Sequence, residues 1–112
     1  MSYRLFLDDE RMPKQVTWVN LPLGPWVIVR DYDEFVKCIM TNGLPEFVTF
    51  DHDLAIEHYI PEVKEEEYTE KTGMDCAKWL VDYCLDNGSK LPNFEVHSKN
   101  PAGAANIRSL LQ

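Results

Sequence analysis

Four short apolar runs recur along the chain, and each stops abruptly in polar or charged residues. Tyr3-Arg4-Leu5-Phe6-Leu7 runs into Asp8-Asp9-Glu10, and Phe47-Val48-Thr49-Phe50 runs into Asp51-His52-Asp53. Trp26-Val27-Ile28-Val29 leads to Arg30-Asp31, and Phe94-Glu95-Val96 leads to His97-Ser98. Runs this short, rich in aromatic and β-branched residues and bounded by Pro, Gly or Asn, predict strands over residues 3–7, 26–30, 46–51 and 93–97. Helical spacing appears between and after them. Asp31, with Glu34 three residues on, predicts a capped helix start. Phe35, Cys38, Ile39 and Met40 supply its apolar stripe, and Asn42-Gly43 its stop. Thr72 with Asp75 opens a second helix through Asp86, striped by Cys76, Ala77, Leu80, Val81 and Cys84. Asn100-Pro101 has the signature of a last helix start, carrying Ile107, Leu110 and Leu111. Residues 14–25, with Pro22, Gly24 and Pro25, predict an irregular or partly helical connection. The long segment 55–71, with Glu62, Glu65, Glu66, Glu67 and Glu70, reads either as a lid or as a solvated acidic flap.

Strands alternating with helices imply an α/β fold with about four parallel strands, crossovers of one hand, and helices on both faces. The natural strand order is 2-1-3-4. Connections from strands one and three then leave toward opposite sides, and ligands settle at such a switch point, at the carboxyl ends of the strands. Asp8, Asp9, Asp51, His52, Asp53, His97 and Ser98 all fall on that edge.

Composition narrows the class. A chain of 112 residues suits a single domain over 1–112, and 45% hydrophobic with 27% charged residues is ordinary globular usage. The formal charge of −8 argues against a broad face for bulk nucleic acid. It leaves room for one phosphate bound through a metal ion or a helix N-terminus. Cys38, Cys76 and Cys84 are odd in number and lack metal-binding spacing, so buried thiols are expected. No leader peptide pattern and no apolar run of the roughly 20 residues a membrane helix needs is visible, so a cytoplasmic protein is expected.

The strand ends carry the candidate chemistry. Neighbouring strands lie about 4.8 Å apart, so Asp8 or Asp9 can approach the same ion as Asp51. Carboxylates that close raise one another's pKa unless a cation joins them, and an oxygen-rich set suits Mg²⁺ or Mn²⁺. The competing reading pairs these acids with Arg11, Arg30 or Lys99, or uses them as helix caps. His52 and His97 form a second constellation, because imidazole gives and takes protons near neutrality. They read as a general base and acid in unassigned order, with Asp53 orienting a histidine, or as hydrogen-bonded strand-end histidines without chemistry. His58 reads as a surface residue. Ser98, Lys99, Asn100 and Gly103 read as a phosphate cradle at a helix N-terminus, or as close helix–sheet packing.

Leu5-Phe6-Leu7-Asp8-Asp9-Glu10-Arg11-Met12-Pro13, Phe50-Asp51-His52-Asp53-Leu54, Thr72-Gly73-Met74-Asp75 and His97-Ser98-Lys99-Asn100-Pro101-Ala102-Gly103 together resemble one family. It is the cyclic-phosphate-processing receiver-like domain, a small variant of the response-regulator receiver fold found in bacteria and phages. The resemblance spans nearly the whole chain and implies a receiver-like (flavodoxin-like) fold. Asp8, Asp9 and Asp51 match the receiver's acidic pair and phosphorylatable Asp. Strand four ends instead in His97-Ser98, and no fifth strand with the receiver lysine is evident. The implied activity is that of a phosphoesterase, a hydrolase acting on cyclic or terminal phosphates of a small nucleotide or an RNA end. The alternatives are a non-catalytic signalling module that accepts a phosphoryl group on Asp51, or a phage accessory protein acting through Trp18 and the acidic loop.

Overall fold

The computed structural model describes residues 2–112. Strands β1 (Arg4–Leu7), β2 (Trp26–Val29), β3 (Phe47–Phe50) and β4 (Asn93–Val96) form one parallel sheet in the order β2-β1-β3-β4, as expected. Helices α1 (Tyr32–Asn42), α2 (Gly73–Asp86) and α3 (Pro101–Leu111) complete the regular structure, with three short 3₁₀ turns in the connections. Their caps follow the sequence. The Asp31 side chain accepts from the Glu34 amide, while Glu34 reaches past the cap to the Arg30 amide. Thr72 and Asp75 exchange bonds at the start of α2, and Asn100 accepts from the Gly103 amide at the start of α3. Gly43 ends α1 with a φ of 83°, a left-handed conformation that costs glycine nothing.

The two-residue period of the strands sorts their side chains. Leu5, Leu7, Val48, Phe50 and Val96 join Phe35 and Ile39 of α1, Ala77 and Leu80 of α2, and Ile107 of α3 in one buried core. Phe6 and Thr49, out of phase with these, point to the other face and are also fully buried. All three helices therefore lie on one face, whereas helices on both faces were expected. Chain direction explains it. The β1→β2 step moves one way along the sheet and the later steps move the other, so crossovers of one hand put only the first connection on the second face. That connection, residues 8–25, carries Pro13, Pro22, Gly24 and Pro25, and forms only the 3₁₀ turn Pro13–Gln15. The outer layer on this side is irregular chain.

Two smaller expectations change. Met40 lies beyond the buried stripe of α1 and is 65% exposed. His58, expected at the surface, is buried: its Nδ1 accepts the Leu54 and Ala55 amides and its Nε2 donates to the Glu70 carbonyl. Together with Glu57, which accepts the Thr69 and Glu70 amides, it closes the segment 55–71 on itself. Irregular backbone needs such partners, and a histidine with both nitrogens engaged supplies three of them.

Candidate functional site

Hydrogen bonding between strands continues one rung past the ends of β1, β3 and β4. The Asp8 amide donates to Val29 O, the Asp51 amide to Leu7 O and the His97 amide to Phe50 O. Leu7, Phe50 and Val96 face one another across the sheet, so Asp8, Asp51 and His97 form the next row across three adjacent strands. Alternation directs this row to the Phe6–Thr49 face, away from the helices.

All three side chains are almost sealed from water. Asp8 Oδ1 accepts the Glu10 and Arg11 amides, and its Oδ2 lies 3.0 Å from His97 Nε2. Burial pushes the Asp8 carboxyl up, but the bonds from His97 and the two amides outweigh it and bring it to about 2. An ionised Asp8 only accepts, so His97 carries its hydrogen on Nε2. Its Nδ1 then meets the Thr49 hydroxyl at 2.8 Å. The His97 ring stacks on Phe6 with centroids 4.7 Å apart. Both nitrogens are thus engaged and the ring is 0% exposed.

Asp51 is held differently. Its Oδ1 accepts the His52 amide, and its buried Oδ2 has no hydrogen-bond partner. Burial first, and then the Asp8 charge, push its carboxyl up to about 7. Arg11 stands 3.5 Å from Asp8 and 3.9 Å from Asp51, too far for the short paired geometry that would answer that charge. Arg30 is spent on the Asp8 and Arg11 carbonyls. Among the described residues, Asp8, Asp51 and His97 offer ligand atoms within 4.8 Å of one another. An orphaned, buried carboxylate oxygen beside an ionised one is the arrangement a divalent cation would complete, and the oxygen donors fit Mg²⁺ or Mn²⁺. Asp9, expected in this set, instead accepts from the Tyr59 hydroxyl at 3.2 Å and is raised chiefly by its own burial.

His52 turns to the other side of the same strand end. Its ring packs on α3, where a Cβ built on Gly103 would come within 2.5 Å of it. Its Nδ1 lies 2.8 Å from Asp53 Oδ1, and Asn100 Nδ2 donates to that oxygen at 3.3 Å. Burial pushes Asp53 up, but the His52 and Asn100 bonds prevail and lower it. An ionised Asp53 fixes a hydrogen on His52 Nδ1, while His52 Nε2 carries no hydrogen bond among the described residues and is not sealed in.

The expected phosphate cradle is therefore used in part for other ends. Gly103 makes room for His52, and its amide is capped by Asn100, which also braces Asp53. The Ser98 hydroxyl accepts the Asn100 amide. Lys99 lies over the Trp18 ring, 4.2 Å from its centroid. Sequence reasoning missed Thr49 and Tyr59. Thr49 was readable in principle, as a hydroxyl in phase with Asp51 within an apolar strand. The bonds of Tyr59 to Asp9 and to the Asp53 carbonyl depend on a loop path that no local pattern specifies.

No curated protein and no solved structure matches the chain. A family model described as the cyclic-phosphate processing receiver domain matches residues 3–112. That match takes in every strand, every helix and the whole Asp8–Asp51–His97 row. The chain belongs to the cyclic-phosphate processing receiver domain family.

Proposed function

We propose that the protein is a phosphoesterase acting on cyclic or terminal phosphates of nucleotides or RNA ends. The observation that carries this reading is the buried Asp51 Oδ2, without a hydrogen-bond partner beside ionised Asp8, at the strand end that also carries His52 with its Nε2 unbonded among the described residues. Asp8 and Asp51, with His97 at their side, would hold Mg²⁺ or Mn²⁺, which when bound neutralises phosphate charge and orients water. Asp8 is kept ionised and in place by His97, which acts as a positioning residue because both its nitrogens are taken. His52 Nε2 takes a proton from the attacking water, and Asp53 with Asn100 holds the imidazole in the tautomer that permits it. The phosphorus–oxygen bond of the ester then breaks and the departing oxygen takes a proton from water. Ser98, Lys99 and the start of α3, which follow His97 directly in the chain, would receive the phosphate once Lys99 leaves its contact with Trp18. The chain's charge of −8 speaks for a small substrate over bulk nucleic acid. Among the described residues no helix is long and apolar enough to cross a membrane.

The test is turnover of a nucleoside 2′,3′-cyclic phosphate by wild type and His52→Ala, with circular dichroism as the folding control. Loss of turnover with the fold intact is expected, and undiminished turnover removes His52 from the mechanism. The orphaned Asp51 oxygen also favours a second reading, a module that accepts a phosphoryl group there. Incubation with acetyl phosphate and Mg²⁺ separates the two: a stable phosphoryl adduct in the intact mass, lost in Asp51→Asn, supports the module.

A further inference from the structure

Trp18 sits on the irregular β1–β2 connection, 38% exposed, with its Nε1–H donating to the His97 carbonyl at 2.8 Å. That bond anchors the indole at the end of β4, directly beside the acid row. Two cations attend its ring: Lys99 Nζ at 4.2 Å and Arg11 Cζ at 5.2 Å from the centroid. Arg11 also faces Asp8 and Asp51, so a single guanidinium spans the distance from the acids to the indole. Among the described residues Lys99 forms no salt bridge, although Asp and Glu number 19 in the chain. Its partner is an aromatic face, and a cation over a part-exposed ring is held weakly compared with one on a phosphate.

We infer that Trp18 is the stacking platform for the base of a nucleotide substrate, and that Lys99 leaves the indole for the phosphate when that substrate binds. The inference rests on the phosphoesterase reading of the acid row and adds to it a recognition element for the base. One movement does two things: it brings a positive charge to the phosphate and uncovers a π-face for the base. Indole stacking is tolerant of base identity, because every base has a π-face. Trp18 therefore selects for a base as such, and for larger rings over smaller ones. A cyclic or terminal phosphate on a sugar without a base would lack this contact.

The experiment compares calorimetric titrations of the slowly hydrolysed 2′,3′-cyclic phosphorothioates of adenosine and of methyl riboside, in Mg²⁺, alongside turnover of the corresponding phosphates. Base–aromatic stacks span a range that corresponds to about 5- to 150-fold in affinity, and the adenosine ester is expected to bind tighter by a factor in that range. Trp18→Leu should remove this advantage and Trp18→Phe should keep most of it, both with unchanged far-ultraviolet dichroism. Lys99→Ala should weaken both ligands by the same factor. Equal affinity of the two esters in the wild type overturns the inference, as does an adenosine advantage that survives Trp18→Leu, or no binding of the adenosine ester. The turnover arm judges the phosphoesterase reading separately. Trp18-dependent binding with neither phosphate hydrolysed sinks that reading alone, whereas hydrolysis of both at equal KM sinks the base platform alone.

Discussion

Replacing Asp51 by asparagine is expected to stabilise the protein above neutral pH. Asp51 is 2% exposed and leaves Oδ2 without a partner. Burial and then the Asp8 charge raise its carboxyl from 3.8 to about 7. In the unfolded chain it ionises near the lower value, so between these two pH values unfolding releases a proton that the folded carboxyl keeps. Stability linked to this group is present in full below about pH 4 and is lost as the pH rises through about 7. At ~1.4 kcal/mol for each pKa unit, a gap of about three units costs about 4 kcal/mol at pH 8. The amide side chain introduced by Asp51→Asn would retain an acceptor for the His52 amide and cannot ionise. A domain of this size shifts its Tm by roughly 4 °C per kcal/mol, so Asp51→Asn should melt up to about 15 °C higher than wild type at pH 8. The assay is thermal unfolding followed by circular dichroism from pH 4 to pH 9 in a chelator, repeated with Mg²⁺. The two proteins should converge near pH 4, and Mg²⁺ should raise the wild type alone. A variant no more stable than wild type at pH 8, or a gap that ignores pH, refutes the reasoning.

Gly103→Ala places a methyl group 2.5 Å from the His52 ring, so turnover should fall well below wild type while the helix, which gains propensity at that position, stays folded by dichroism. Thr49→Val leaves His97 Nδ1 buried without a partner and should cost about 1–3 kcal/mol in chemical denaturation, the range for an unsatisfied buried polar group. Glu57→Ala frees the Thr69 and Glu70 amides, so hydrogen exchange should speed up in the segment 55–71 and stay unchanged in the four strands.

The strands and helices were legible because each is punctuated: Asp31, Thr72 and Asn100 cap helices where the periodicity begins, and Gly43 ends one where it stops. The order of the strands followed from alternation and crossover hand. What alternation also contained, and what a list of strand-end residues hid, is the split of the rim. Asp8, Asp51 and His97 are in phase with Phe6 and Thr49, while His52 is in phase with the helix-covered face. Two histidines that look equivalent by position therefore have different surroundings: one is clamped by Thr49 and Asp8, the other presents a free nitrogen. The burial of His58 and the contacts of Tyr59 were not legible, because they depend on where an irregular loop folds back. Helices on both faces were expected because strand–helix alternation suggests them, but the connection that crosses the second face, residues 8–25, forms only the 3₁₀ turn Pro13–Gln15.

Whether the Asp8–Asp51–His97 row and the His52–Asp53–Asn100 chain work together on phosphate esters is read most directly by phosphorus NMR of a nucleoside 2′,3′-cyclic phosphate incubated with the protein and Mg²⁺. The cyclic diester resonance should give way to a phosphomonoester with wild type, and persist with Asp51→Asn and with His52→Ala. A cyclic ester untouched by wild type, or opened equally well by both variants, contradicts the account.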